Sequence, residues 1–347
     1  MTNNFLIKIL LLPIYVLFAM IVWVKNKLYD YQLLSSQLPD IYTISVGNLA
    51  VGGTGKTPFV EYLVNIFGEA WPTAILSRGY GRKTKGFIRA DENSDASIVG
   101  DEPFQYFLKF GDLVKVFVGE NRVKAVNKII ELEPNINLLL LDDAFQHRQI
   151  IAHHSIILSD YNNLIYNDLM LPIGKLREPI TSLKRADTII ITKCLEDLSI
   201  EESGLIKRKL EPFCREETKI FFTKICYEKP IQFNGNAIEM SNQIQIISGL
   251  ANSKPFVNYC NEHWTVLQHF DYPDHYCYQE DDISKISKGL SQNVSILVTE
   301  KDFVKLKDKL PKEVAAFYLP IKVDFLFGEN EQFIKQIKGA VKAYYES

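Results

Sequence analysis

Cysteine is scarce and scattered. The five, at 194, 214, 226, 260 and 277, form no C-x-x-C pair. That spacing offers neither a zinc site nor a disulfide framework and suits a reducing cytoplasmic setting. Positive charge is not in excess: the formal net charge of −3 and pI near 6.1 exclude a general nucleic-acid binder, which would be basic. There are no internal repeats and no low-complexity tracts. Charge is missing altogether from Ile9 to Val24, an apolar run bounded by Lys8 and by Lys25 and Lys27. As a helix it covers ~24 Å, just short of the ~30 Å hydrocarbon core of a bilayer. No small-residue cleavage site comes after Val24, which argues against a cleaved signal peptide. A buried core helix is the other alternative. The preferred reading of residues 1–27 is a membrane anchor, spanning or partly inserted. Lys25 and Lys27 favour a cytoplasmic side for the rest of the chain, and Lys8 weakens that asymmetry.

What is present in strength is a phosphate loop. Residues 47–58 read Gly-Asn-Leu-Ala-Val-Gly-Gly-Thr-Gly-Lys-Thr-Pro. A short, apolar, β-branched run, Ile41–Val46, precedes it and reads as a buried strand; Phe59–Phe67 after it reads as a helix. Strand, glycine-rich loop, helix is the context the motif requires. Ala50, Val51, Gly52, Gly53, Thr54, Gly55, Lys56 and Thr57 are therefore the expected residues for binding a nucleotide's phosphates. Glycines let main-chain N–H groups turn inward onto phosphate oxygens, and the helix start adds partial positive charge. Lys56 is placed to reach the β- and γ-phosphates and Thr57 to hold Mg²⁺. Pro58 is tolerated in the first helical turn, where no partner awaits its missing N–H. Ala50 stands where the general pattern has its first glycine.

At 347 residues the length suggests two domains. Strand candidates Thr73–Ser77, Val114–Val118, Leu138–Leu141, Ser155–Leu158 and Thr188–Thr192 alternate with helical candidates Pro103–Phe110 and Arg122–Leu132. Such alternation predicts an α/β fold, a parallel sheet covered by helices on both faces. A second, smaller α/β set comes next: Ile244–Ile247, Pro255–His263, Val266–Phe270, Ile283–Leu290, Ser295–Val298 and a last helix near Glu331–Tyr345. The expected division is an anchor over 1–27, a P-loop NTPase-like domain over 28–213, a connecting segment over 214–242 that could form a β-ribbon, and a C-terminal α/β domain over 243–347.

Leu138–Leu141 ends in Asp142 and Asp143. In phosphate-loop enzymes an acid at such a strand tip meets Mg²⁺ beside the loop. The next stretch, Ala144-Phe145-Gln146-His147-Arg148, is unusual for a generic NTPase. The chain here resembles the tetraacyldisaccharide 4′-kinases, which phosphorylate a lipid A precursor. The resemblance rests on Ser45–Leu49 with the loop, Ser77–Arg82, Val99–Pro103, Asp142–His147, Leu171–Pro179, Pro273–His275 and Val298–Asp302, in family order and over almost the whole chain. Ala144 and Tyr276 depart mildly from the family, where glycine and a second histidine are usual.

The resemblance implies transfer of the ATP γ-phosphate to the 4′-hydroxyl of an acylated glucosamine disaccharide 1-phosphate lipid. It also implies a monotopic inner-membrane protein with its catalytic part in the cytoplasm, and two α/β/α domains joined by a β-ribbon with the site in their cleft. Asp101 becomes the candidate base, supported by His275. A sugar hydroxyl is a poor nucleophile near neutral pH, and a placed carboxylate can take its proton. Asp142, Asp143 and Glu178 are assigned near the metal; Arg78, Arg177 and His147 are assigned to the lipid substrate. Each has an ordinary alternative. Asp101 suits a helix N-cap, Arg177 and Glu178 a surface ion pair, and His147 and His275 ordinary partly buried histidines. The cluster Arg78, Arg82, Lys83 and Lys85 suits either a solvated loop or attraction of an anionic head group.

A regulatory or metallochaperone-type P-loop GTPase is the alternative function. That class commonly carries lysine near the loop start and a cysteine or histidine ligand cluster, and neither is present. A nucleotide-binding membrane scaffold without turnover is a third reading, ill-suited to carboxylates and His275 standing in register. Thr299-Glu300-Lys301-Asp302 resembles the GTPase base-recognition motif only loosely and serves as a family marker.

Overall fold

The computed structural model describes residues 5–233, 239–288, 290 and 293–346. Its strands are, in chain order, β1 Tyr42–Asn48, β2 Thr73–Ser77, β3 Ile88–Arg89, β4 Val114–Val118, β5 Leu138–Asp142, β6 His154–Asp160, β7 Thr188–Thr192, β8 Lys219–Tyr227, β9 Ile231–Gln232, β10 Gln243–Ser248, β11 Thr265–Asp271, β12 Val294–Thr299, β13 Ala316–Leu319 and β14 Ile321–Phe325. The α-helices are α1 Phe5–Asp30, α2 Lys56–Phe67, α3 Ala96–Val99, α4 Asp101–Phe110, α5 Arg122–Leu132, α6 Ile200–Leu210, α7 Lys254–His263, α8 Glu280–Ser287, α9 Glu300–Leu306 and α10 Asn330–Glu346.

The chain folds into two compact units. One comprises Met1–Arg78, Asp112–Ile225 and Val323–Ser347; the other comprises Gly79–Gly111 and Cys226–Lys322. The division is not the linear one expected. Residues 79–111, read as part of the P-loop domain, belong to the second unit, and 323–347 return to the first. The return has a packing cause. Phe333, Ile337 and Val341 of α10 form a buried i, i+4, i+8 stripe. Phe333 meets the rings of Phe59 and Phe221 edge-on at 5.8 and 5.5 Å. Periodicity shows that a helix has an apolar face but not which core receives it.

In the first unit the strand order runs β14-β8-β7-β6-β1-β5-β2-β4. Every pairing from β8 to β4 is parallel. β1, β2, β5 and β7 are buried at every position, as strands covered on both faces must be. β1 and β5 are direct neighbours, with Val46 opposite Asp142. Parallel neighbours end on the same side, so the loop after Asn48 and the acids at 142 and 143 emerge together although far apart in sequence. The second unit has its own sheet, order β11-β10-β12-β13-β9, parallel except where β9 meets β13. The segment 214–242, expected as a connecting ribbon, contributes β8 to the first sheet and β9 to the second. Its Asn234-Gly235-Asn236 turn lies outside the described residues.

Helix α1 is no core helix, for little of its apolar stretch is buried within the protein. Tyr15, Phe18, Ala19 and Val22 pack against the first unit's core, an i, i+3, i+4, i+7 stripe. Leu10, Leu17, Ile21 and Trp23 stay exposed. One face docks and the rest is free to meet an apolar phase, which fits a membrane anchor.

Candidate active site

The phosphate loop is held open from beneath. Asn48, fully buried at the end of β1, donates through Nδ2 to the Ala50 carbonyl at 2.6 Å and to Thr54 Oγ1 at 2.9 Å. The Val51 N–H donates to the Lys175 carbonyl at 2.9 Å, and Thr192 Oγ1 donates to the Thr54 carbonyl at 2.9 Å. Gly52 and Gly55 adopt φ of 112° and 82°, a region L side chains rarely enter. No protein atom lies within 4 Å of where a Cβ would stand on Gly52 or Gly53, so that side of the loop is open. Ala50 takes no left-handed angle and bridges to Leu176, which is why the missing first glycine is tolerated here. Lys56 and Thr57 open α2, whose N-cap is Gly55.

Two carboxylates close the floor. Asp142 is buried, with Oδ2 accepting from Ser77 Oγ at 3.0 Å, and its carbonyl accepts from Arg122 at 2.9 Å. Asp143 turns into a left-handed φ of 46°. Its Oδ1 lies 3.9 Å from Lys56 Nζ and 2.9 Å from Arg177 Nη2. Burial pushes the Asp143 carboxyl up, but the charge of Lys56 and the hydrogen bond and charge of Arg177 outweigh it, leaving it below the usual carboxylate range.

The structure gives several of the expected residues protein partners of their own. Arg177, assigned to the lipid, grips Asp143 and also bonds the Asn48 side chain and carbonyl, so it braces the loop. Glu178, assigned near metal, is buried against Arg185, which stacks 4.0 Å over the Phe145 ring. Their ion pair is thus partly internal, not the surface pair that a Gly/Pro-bounded loop suggested. His147 is pushed down to about 4, first by burial and then by the charges of Arg122 and Arg78, and is neutral at ordinary pH. Among the described residues, no three His, Cys, Asp or Glu side chains gather in a metal-holding group. Magnesium needs no such cage, because it keeps waters and takes one or two carboxylates beside substrate phosphates. The Thr57 hydroxyl and the Asp142 and Asp143 carboxylates have the right chemistry for it.

Sequence reading missed three supports. Asn48 is the hub of the loop. Lys193 bonds the Gly53 carbonyl and pairs with Asp160 at 2.7 Å. Arg122 is buried and donates to the Gly119 and Asp142 carbonyls. Only Asn48 left a signal, a buried-strand position filled by a side chain rich in donors and acceptors.

The second unit brings Asp101 and His275 together, with His275 Nδ1 3.1 Å from Asp101 Oδ2. Gly79 and Gly100 let the segments around Tyr80 and Val99 pack closely against each other. A Cβ on Gly79 would stand 2.7 Å from the Val99 carbonyl oxygen, and one on Gly100 3.0 Å from that of Tyr80. The N-cap of α4 is Gly100, and the Asp101 carboxylate reaches His275 from the first turn. Burial raises the Asp101 pKa, but the His275 hydrogen bond and the charges of Lys305, His275 and Lys301 bring it below its ordinary value. His275, at φ 58°, is raised by its bond to Asp101, against burial and the charge of Lys301. Tyr80 meets the His275 ring edge-on at 5.5 Å.

A buried parallel sheet, a glycine-rich loop opening a helix, and acids at the neighbouring strand tip define a P-loop NTPase-like protein. Comparison with known proteins narrows the class. A family model for tetraacyldisaccharide-1-P 4′-kinase matches residues 7–342, and the chain belongs to that family. It is 40% identical over 327 residues to a tetraacyldisaccharide 4′-kinase of Flavobacterium johnsoniae, covering 92% of this chain and 94% of that one. It is likewise 40% identical over 348 residues to that of Flavobacterium psychrophilum, covering 98% of each. The crystal structure of LpxK from Aquifex aeolicus in complex with ATP superposes with a TM-score of 0.76 at 28% identity, covering 96% of this chain and 99% of that one. Kinase membership over nearly the full length does not favour the GTPase alternative.

Proposed function

We propose that this protein transfers the γ-phosphate of ATP to the 4′-hydroxyl of a tetraacyldisaccharide 1-phosphate, giving the 4′-phosphorylated lipid A precursor. The observation that carries the acceptor chemistry is the Asp101–His275 contact, a carboxylate with an oriented histidine behind it. The full-length family match supplies the substrate class.

The chemistry divides between the units. In the first, main-chain N–H groups of residues 52–57 and the Lys56 ammonium receive the phosphates. Lys56 meets charge that builds up as the phosphoryl group transfers. Thr57 with Asp142 and Asp143 would hold Mg²⁺, which would supply positive charge against the phosphates. Arg177 and Asn48 keep Asp143 and the loop in place. In the second unit the Asp101 carboxylate accepts the hydroxyl proton as the oxygen–phosphorus bond forms, and His275 orients it. Arg78 and the neutral His147 are assigned to the lipid head group.

The apolar face of α1 inserts into the inner membrane, with the catalytic part on the cytoplasmic side. Deleting residues 1–27 should release the protein from membranes and leave ATP binding intact. The reaction is tested by incubating ATP with and without the lipid acceptor and locating the new phosphate by mass spectrometry. ATP turnover with no phosphate on the 4′-oxygen would sink the proposal.

A further inference from the structure

Lys301 sits in the Thr299–Asp302 motif, and the structure gives it a partner. Its Nζ lies 3.1 Å from His275 Nε2 and 2.8 Å from Asp274 Oδ1. A lysine ammonium offers three donors and no acceptor. His275 Nε2 must therefore accept, and the ring proton sits on Nδ1, facing Asp101. A protonated ring would set two donors against each other at that 3.1 Å contact.

We propose that Lys301 is a positioning residue for the phosphoryl-transfer base. By donating to His275 Nε2 it fixes the tautomer whose Nδ1–H holds the Asp101 carboxylate, making a three-membered array, Asp101–His275–Lys301. The proposal deepens the reading of Asp101 as base and rests on it.

The surroundings are built to hold Lys301 still. It lies in the first turn of α9, which Thr299 caps. Asp302 in the same turn is fully buried and accepts from the Gly249 N–H at 2.8 Å, Tyr278 Oη at 2.8 Å and Thr299 Oγ1 at 2.6 Å. Asp274 Oδ1 takes both Lys301 Nζ and the His275 N–H, the latter at 3.1 Å. His275 is thus gripped at main chain and ring, which sustains its left-handed φ of 58°. Such angles in non-glycine residues cost of order 1–3 kcal/mol and cluster at functional sites. The charged groups facing His275 are Asp101, Glu102 at 3.8 Å, Asp274 at 4.0 Å and Lys301. The carboxylates favour the imidazolium and Lys301 opposes it. The ordinary alternative is a half-exposed Lys301–Asp274 ion pair with no bearing on the ring.

The test tracks His275 by ¹⁵N NMR in the detergent-solubilised full chain, alongside kcat. Wild type should show the Nδ1–H form. Lys301→Met, with neither donor nor charge, should mix the tautomers, raise the His275 pKa by about 1 unit, and lower kcat by about 10-fold with KM for ATP unchanged. Lys301→Gln keeps a donor without the charge. It should keep the tautomer, raise the pKa, and recover most of the turnover at higher pH. Lys301→Arg should recover both. If Lys301→Met folds poorly, Lys301→Gln alone still separates donor from charge. A His275 tautomer and pKa unchanged in Lys301→Met and Lys301→Gln, with turnover tracking only the folded fraction, would overturn the proposal. The NMR result stands apart from the base assignment, which fails separately if Asp101→Asn retains full turnover.

Discussion

The two units hold their candidate site carboxylates by opposite means. Asp143 in the first is clasped by two cations, Lys56 and Arg177. Asp101 in the second faces His275, whose charge changes within the working pH range. One carboxylate is clamped by cations and the other is governed by a switchable charge. The first arrangement suits a floor for phosphates, where charge must be constant. The second suits a proton acceptor, where basicity must respond to the proton taken up. The contrast also predicts where each unit is vulnerable: the first to loss of a charge, the second to loss of an orientation.

The sharpest way to break the contrast is at Asp101. Asp101→Ala should lower turnover by roughly 10²–10⁴-fold, the range for a lost general base, with ATP affinity little changed. His275→Ala should also lower it, and the double variant should fall far short of additive because the two act as a unit. Single-turnover assays of the three variants check this; additive losses would separate the pair. Lys56→Ala should come next, with a loss of at least ~10²-fold, the scale of one electrostatic stabiliser. Near-normal transfer by Lys56→Ala would remove the phosphate loop from the mechanism.

These two halves were unequally legible in the sequence. The phosphate loop is contiguous, and its glycines, Lys56 and Thr57 report a chemistry that local spacing encodes. Strand tips 142 and 143 could be joined to it because parallel neighbours in such sheets end on one side. The Asp101 array draws on three segments, at 101, 275 and 301, and no local pattern binds them; only the family resemblance paired the first two. Lys301 went unassigned because its partner lies on another loop. The partners of Arg177 and Glu178 were hidden for a related reason. Adjacent in sequence, they turn to different partners, one to Asp143 and one to Arg185. The domain boundary was missed because contact, not chain order, decides which core receives 79–111 and 323–347.

A pH profile sharpens the comparison with a smaller effect. Asp101 is held below its ordinary pKa, so it stays ionised to the acid side. His275 is held above its ordinary value of 6.5, and the neutral ring is the form that accepts from Lys301. Turnover should therefore fall as pH drops through the His275 pKa, above 6.5, while ATP binding to the first unit holds. The stability linkage has the opposite sign. The raised His275 pKa contributes stability fully present below the unfolded value and lost as pH rises through the folded one. An acid limb unchanged in His275→Gln would show that another group sets it.

The smallest expected effect concerns a feature that only the first unit has, the apolar helix α1. Its two faces have different neighbours, so equal truncations should differ. Phe18 is partly buried against the core cluster, whereas Leu17 is largely exposed. A fully buried phenylalanine costs about 3–5 kcal/mol when cut to alanine. Partial burial brings Phe18→Ala to roughly 1–2 kcal/mol, which in a unit of this size shifts Tm by a few degrees. Leu17→Ala should stay within about 0.5 kcal/mol, as exposed positions do. Thermal unfolding of the detergent-solubilised full chain reads the difference. Partition into lipid vesicles should rank the pair the other way, with Leu17→Ala losing more, since burying its side chain in an apolar phase supplies about 1.5–3 kcal/mol. Equal shifts in both assays would mean that α1 does not dock by its Tyr15–Val22 stripe, and that the helix meets lipid and protein without a preferred face.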